Sequence, residues 1–89
     1  MKYIFSEYLK YRAETRGYDL GKIEDILKFS TERYLDSITN RMIAIGKHDK
    51  RLVMIPYEIS KNSIKPVTIH ATSRQQVNFR LKTGRLKNE

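Results

Sequence analysis

Apolar residues recur at helical spacing near the start of the chain. They stand four residues apart, which places them on one side of a helix. The stripe consists of Phe5, Leu9 and Ala13. Ser6 is a typical N-cap, and Gly17 is a typical stop after Arg16. The pattern predicts a first helix from about Ser6 to Arg16.

A second apolar stripe follows Asp19, which is a good N-cap for another helix. This stripe consists of Leu20, Ile23, Ile26 and Leu27. Glu24 and Lys28 are four residues apart on the outer side, where opposite charges stabilise a helix. We expect the second helix to end near Ser30.

Beyond Ser30 the pattern changes to β-branched and aromatic residues with turn residues between them. Four segments fit strands: "ERYLDSI", "RMIAIGK", "RLVMIPYEIS" and "KPVTIHAT". In the last segment one face carries Val67, Ile69 and Ala71, and the other carries Thr68, His70 and Thr72. Pro56 has no N–H to donate to a neighbouring strand, so we expect a bulge or a free edge there.

The residues after the fourth strand are typical of a helix start. Ser73 and Gln76 have the spacing of a capping box, as do Thr72 and Gln75, and Gly84 is a suitable stop after Lys82. We therefore predict one α+β domain over residues 1–85. In it, two N-terminal helices pack on a four-stranded antiparallel sheet and a C-terminal helix follows. Residues 86–89 are expected to form a loose tail.

The charge of the chain favours a polyanionic partner. Eighteen Lys and Arg against ten Asp and Glu give a formal net charge of +8, so nucleic acid is the expected ligand, and an acidic protein would also fit. Many of these cations can equally be solubilising surface charge. The chain has no cysteine, no apolar run that could span a bilayer and no signal-peptide block. We expect a cytoplasmic protein without a membrane partner.

His70 is the first candidate for chemistry, because it is expected on the sheet face away from the first two helices. Imidazole exchanges a proton near neutral pH, and Arg74 could hold a phosphate and its developing charge. The alternative is that His70 packs under the last helix and Arg74 is a solvated helix residue. His48 is expected at an exposed hairpin tip in "GKHDK". We expect no metal and no cofactor, because two histidines without cysteines, and with no carboxylate at ligand spacing, cannot supply three or four ligands.

Tyr8, Arg12 and Arg16 form a ridge along the first helix. Arginine binds phosphates with two hydrogen bonds and tyrosine stacks on unpaired bases, so the ridge predicts an RNA contact. The alternative is that Arg12 pairs with Glu32 or Asp36. Further candidates for nucleic-acid binding are Lys47, Arg51 and Arg80.

The segment "YxxxRxxxRGYDLGKIEDIL", which begins at Tyr8, resembles the opening of a family of small domains of uncharacterised function. In that family a histidine often stands in the place of Tyr8. The chain is also similar to the BrnT toxins over almost its whole length. Their "KHGVSF" turn lies over residues 15–20, their "ERFVTIG" strand over residues 40–46 and their "IISAR" strand end over residues 68–72. Arg41 matches the BrnT arginine, whereas Asn40, Tyr8 and Thr72 replace the BrnT glutamate, lysine and arginine.

This resemblance implies a RelE-like toxin fold, RNA cleavage without a metal and a cognate antitoxin protein that blocks the basic cleft. The chain is then expected to be an endoribonuclease toxin of a type II toxin–antitoxin system. His70 or Tyr8 would take the proton of a ribose 2′-hydroxyl, and Arg41 and Arg74 would stabilise the charge on the phosphoryl oxygens. The alternative is a relative that binds RNA or an acidic protein without cutting.

Overall fold

The computed structural model describes residues 1–88. Over these residues the chain forms an α+β fold with three helices and a mixed, open sheet of seven strands. In chain order the elements are β1 (Lys2–Tyr3), α1 (Glu7–Arg16), α2 (Leu20–Phe29), β2 (Glu32–Asp36), β3 (Met42–His48), β4 (Arg51–Ser60), β5 (Ser63–Pro66), β6 (His70–Ala71), α3 (Arg74–Lys82) and β7 (Leu86–Lys87).

The helices begin and end where their cap residues predict. Ser6 Oγ accepts a hydrogen bond from the N–H of Leu9 at 3.1 Å, and Asp19 Oδ1 accepts one from Lys22 at 3.0 Å. Gly17 ends α1 at φ 75°, a left-handed conformation that glycine adopts without strain. The helix predictions are confirmed, because these caps depend on residues that are neighbours in the sequence.

The third helix is confirmed in the same way. Ser73 is the N-cap of α3, and its Oγ accepts a hydrogen bond from the N–H of Gln76 at 3.1 Å. The helix ends at Lys82, and Gly84 follows at φ 83°. Among residues 1–88, no helix combines the length and the apolar composition needed to cross a membrane.

The prediction of a four-stranded antiparallel sheet is wrong in its extent. Strands β2, β3, β4 and β5 are antiparallel neighbours, but the full order is β1-β5-β4-β3-β2-β7, and β6 also pairs with β4. Strand β1 runs parallel to β5. Two-residue strands have no alternation to detect, so β1 and β7 left no signal in the sequence. Leu86, expected in a loose tail, is a buried core residue in β7, and Glu89 lies outside the described residues.

The segment predicted as the fourth strand is divided into β5 and β6. Tyr57 lies opposite Pro66, whereas Met54 lies opposite His70, so the pairing with β4 shifts by one residue between the two strands. Because successive side chains point to opposite faces, the shift reverses the alternation. Ile69 accordingly packs against the helices, while Val67, expected on the same face, lines a cavity on the other side.

Pro56 stands at this interruption. It lies opposite Ile43 of β3 without a bulge, so it is not on a free edge. Its carbonyl accepts a hydrogen bond from the N–H of Val67 at 2.8 Å, so its nitrogen faces the same edge, between β5 and β6. The N–H that proline lacks is therefore absent at a position where the pairing of β4 with its neighbour is already interrupted.

The sheet separates two apolar layers. Helices α1 and α2 cover one face, where Leu9, Ile23 and Leu27 pack against Val53 and Ile55. Helix α3 covers the other face with a cluster of Ile43, Ile45, Met54, Val77 and Leu86. The short strand β6 pairs with β4, and His70 of β6 lies at the margin of the α3 face. Its contact with Arg12 places it next to α1.

Candidate nucleic-acid-binding site

His70 lies in an open cavity at the margin of the sheet. The side chain is half-buried, and the cavity has a volume of about 520 Å³, within the range of small-ligand sites. Its polar lining comprises Asp36, Thr39, Arg41, Thr68, His70, Thr72, Gln76, Arg80 and Arg85. The remaining lining residues are Ile43, Met54, Pro56, Val67 and Ala71. The cavity thus combines apolar and strongly basic surfaces.

Arg12 of α1 holds His70 in a defined orientation. Arg12 Nη2 lies 2.9 Å from His70 Nδ1, and Arg12 Nε donates to the carbonyl of Ile69 at 3.1 Å. A guanidinium group only donates hydrogen bonds, so Nδ1 must accept, and the proton of the neutral ring is on Nε2. The expected alternative, an ion pair of Arg12 with Glu32 or Asp36, is wrong. His70 in this geometry is a hydrogen-bond donor through Nε2–H.

Positive charge surrounds His70. Burial lowers the pKa of His70, and the nearby guanidinium groups of Arg12, Arg16 and Arg80 lower this pKa further. Among residues 1–88, no carboxylate lies within ion-pair distance of these three arginines. The imidazole is therefore neutral at pH 7, and the cations around it are left uncompensated.

Three other arginines are neutralised by carboxylates. Arg41 lines the His70 cavity, but its Nε lies 3.2 Å from Glu58 Oε2. Arg85 lines it as well and forms two hydrogen bonds with Asp36, at 2.9 and 3.2 Å. We name these arginines, together with Arg74, the paired arginines.

Arg74 is not in the His70 cavity. Both of its terminal nitrogens bond to the carboxylate of Glu32, at 2.6 and 2.9 Å, and it lines a separate cavity beside α2. The expected convergence of His70 and Arg74 is therefore wrong. His70 and Arg74 are close in sequence and both lie near the start of α3. Their side chains nevertheless lie in different cavities, because Arg74 is bonded to Glu32 of β2.

The ridge predicted on α1 lies beside the cavity. Tyr8 is exposed, and its Oη lies 3.5 Å from Arg12 Nη1, while Arg16 is exposed one turn after Arg12. Arg80 of α3 reaches the cavity from the opposite helix. We name the resulting group of five residues the His70 site: it consists of Tyr8, Arg12, Arg16, His70 and Arg80.

Lys47 and Arg51 do not belong to the His70 site. Lys47 lines the cavity that contains Arg74. Arg51 lies over the ring of Tyr18, 4.4 Å from its centroid, and donates to the carbonyl of Gly17 at 3.2 Å. These two candidates flank the β3–β4 turn, where Lys47 lies opposite Leu52 and Arg51 opposite His48.

His48 is buried, which corrects the expectation of an exposed hairpin tip. Only 2% of the residue is exposed, and its Nε2 accepts a hydrogen bond from the N–H of Asp19 at 2.8 Å. Its ring meets that of Tyr18 edge to face, with centroids 5.1 Å apart. His48 therefore fastens the N-terminus of α2 to the hairpin, a structural role.

Sequence reasoning missed three polar residues of the cavity, Thr72, Gln76 and Arg85. Thr72 Oγ1 donates to Gln76 Oε1 at 3.2 Å, and both residues line the wall beside His70. Gln76 was interpreted only as part of a capping box, because the spacing that fits a cap gives no sign of a cavity. Arg85 had no motif around it, so no signal identified its position next to Asp36.

Within residues 1–88 there is no group of three His, Asp or Glu side chains that could hold a metal ion. Comparison of the chain with protein-family models, curated proteins and solved structures finds no match.

Proposed function

We propose that this protein binds RNA and holds a phosphate group at the His70 site. The observation that carries the proposal is the cluster of Arg12, Arg16 and Arg80 around a half-buried imidazole, without a compensating carboxylate in the described chain. Uncompensated like charges destabilise a folded protein, whereas an anion bound between them gains from all three. Nε2–H of His70 supplies a further donor to that anion.

RNA accounts for the surroundings of the phosphate site better than a small anion does. The exposed ring of Tyr8 beside Arg12 is suited to stacking on an unpaired base. The net charge of +8 attracts a polyanion from a distance and raises its rate of encounter.

RNA cleavage is the second candidate function, and one observation favours it. His70 is neutral and lies in an open cavity beside guanidinium groups, as a general base requires. A phosphate that takes over the hydrogen bond of Arg12 would release Nδ1. Nδ1 would then accept the proton of the ribose 2′-hydroxyl. The 2′-oxygen would attack phosphorus, the 5′-oxygen would leave with a proton from water, and a 2′,3′-cyclic phosphate would remain. His70 would then return its proton to the solvent.

The resemblance to the BrnT toxins supports this second candidate. It adds a role as the toxin of a toxin–antitoxin pair in the cytoplasm and an antitoxin as protein partner. In this structure Arg12 and Arg80 are better placed than Arg74 for stabilising the phosphoryl oxygens, because Glu32 already occupies Arg74.

RNA binding is tested by titrating a fluorescently labelled RNA oligonucleotide at several salt concentrations. We expect the double variant Arg12→Gln, Arg80→Gln to bind at least tenfold more weakly and to lower the salt slope by about two. The matched control is Arg41→Gln, Arg74→Gln, which removes the same charge from paired arginines and should change both quantities less. Equal losses in the two double variants, or no binding by the wild type, would overturn the proposal.

Cleavage is tested separately with the same RNA in the presence of EDTA. The second candidate predicts shorter products with 2′,3′-cyclic phosphate ends and growth arrest on induced expression. The variant His70→Gln should lose both effects while it still binds RNA. Intact RNA after incubation with a wild-type protein that binds it would leave RNA binding as the function and reject cleavage.

A further inference from the structure

A second cavity adjoins the His70 cavity. It lies between α3 and the β2–β3 turn and has a volume of about 790 Å³. Its lining consists of Ser37, Ile38, Gln75, Gln76, Phe79, Arg80, Thr83, Gly84 and Arg85. Gln76, Arg80 and Arg85 line both cavities, so the two lie side by side and share a wall. We name the second cavity the Phe79 groove.

Helix α3 places an aromatic ring in this groove. Val77 and Leu81 pack into the core, while residues 75, 76, 79, 80 and 83 line the groove. Phe79 is 65% exposed although it is a large apolar residue. Exposed aromatic rings beside cations are the usual platform for the bases of single-stranded nucleic acids.

We propose that an RNA strand held at the His70 site continues into the Phe79 groove, where an unpaired base stacks on Phe79. This inference rests on the proposed RNA binding. Arg80 has no carboxylate partner in the described chain and lies in the wall common to both cavities, so it can hold the phosphate between the two positions. The bases of a duplex are stacked on each other and cannot reach the ring. The substrate class is therefore single-stranded RNA.

The chemistry of the lining favours a base as the occupant of the groove. Among residues 1–88, no Asp or Glu lines it. The amide of Gln75 can donate to and accept from the edge of a base, and the hydroxyls of Ser37 and Thr83, which donate to backbone carbonyls, can accept from it. The arginine in the wall attracts the phosphate that accompanies each base. An apolar segment of a partner protein would use Phe79 and Ile38 but would leave Arg80 without an anion.

The test compares Phe79→Ala with Phe29→Ala. Phe29 is 73% exposed at the end of α2 and lines the cavity that contains Arg74, so it is a matched control for loss of an exposed ring. The probe is a ten-nucleotide RNA, single-stranded or annealed to its complement. We expect Phe79→Ala to bind the single strand about tenfold more weakly, with little change for the duplex. Phe79→Trp should retain tight binding, and Phe29→Ala should match the wild type.

The outcomes separate this inference from the proposed function. If the wild type does not bind the single strand, the proposed RNA binding is wrong. A wild type that binds, together with equal affinities for Phe79→Ala and Phe29→Ala, overturns only the Phe79 groove. If Phe79→Ala instead changes the sedimentation of the protein and leaves RNA affinity unchanged, the groove is a protein interface and the inference is wrong. Circular dichroism of each variant checks that it is folded.

Discussion

Arg12 and His70 are 58 residues apart in the chain, and a hydrogen bond of 2.9 Å joins Arg12 Nη2 to His70 Nδ1. The bond ties α1 to β6 and determines which nitrogen of the imidazole carries the proton. It also brings a cation to a ring that burial already keeps neutral. This hydrogen bond decides whether His70 donates a hydrogen bond to a ligand through Nε2–H or accepts a proton from it at Nδ1.

We expect the neutral ring of His70 to be protonated on Nε2 at pH 7. The pKa of His70 should lie below the ordinary 6.5, because burial and the three arginines disfavour the imidazolium. NMR of the ¹⁵N-labelled imidazole gives both the tautomer and the titration midpoint. Arg12→Gln should raise the midpoint and allow the Nδ1-protonated tautomer, whereas Arg16→Gln should leave the tautomer unchanged. An Nδ1-protonated ring in the wild type would contradict the assignment.

Asp36 is expected to make folding sensitive to acid. Burial by itself would raise the pKa of Asp36, but hydrogen bonds from Arg85 and from the N–H groups of Ile38 and Thr39 outweigh it and lower the pKa to about 2. A depressed carboxyl pKa stabilises the fold fully above the unfolded value of 3.8, and this contribution is lost as pH falls towards 2. The contribution is about 2 kcal/mol.

The measurement is urea unfolding of the wild type and Asp36→Asn at pH 7 and near pH 2. We expect the variant to be less stable at pH 7 and the difference to shrink near pH 2, where Asp36 is protonated in the unfolded state and about half protonated in the folded state. A stability difference that is the same at both pH values would show that the charge of Asp36 is not the cause.

His48 is expected to contribute to stability rather than to RNA binding. His48→Ala removes a buried ring and leaves the N–H of Asp19 without its acceptor, so we expect a loss of about 2–4 kcal/mol. His48→Gln should lose less, because its amide oxygen can still accept. Urea unfolding measures the stability, and RNA titration of the folded variants should show an unchanged affinity. Wild-type stability of His48→Ala would refute the structural role.

Gly46 is required by the packing of α2 on β3. A Cβ atom at this position would lie 2.8 Å from Ile26 Cγ2 and 3.3 Å from Ile26 Cγ1, and Ile26 is buried. We expect Gly46→Ala to destabilise the fold by about 1–3 kcal/mol. In the Ile26→Ala background the added methyl group fills the space that the isoleucine left, so the same change should cost less there. Additive losses in thermal unfolding would rule out this contact as the cause.

The local elements could be predicted because their signals lie within a few residues. The caps at Ser6, Asp19 and Ser73 bond to N–H groups three residues further on, and Gly17 ends its helix by its own conformation. The α+β class and the placement of His70 on the α3 face follow from the same short-range periodicity. The ridge of Tyr8, Arg12 and Arg16 likewise depends only on the geometry of one helix.

The partners of the charged groups depended on contacts between distant segments. The sequence contained enough carboxylates for several pairings, but folding assigned Glu32 to Arg74, Asp36 to Arg85 and Glu58 to Arg41, and it left Arg12 beside His70. The one-residue shift at Pro56 and the two-residue strands at the chain ends have no periodic signal. Helix positions were thus encoded locally. The composition of the His70 site was decided only when α1, β6 and α3 packed together, because ion pairs and cavities form between elements that are distant in the sequence.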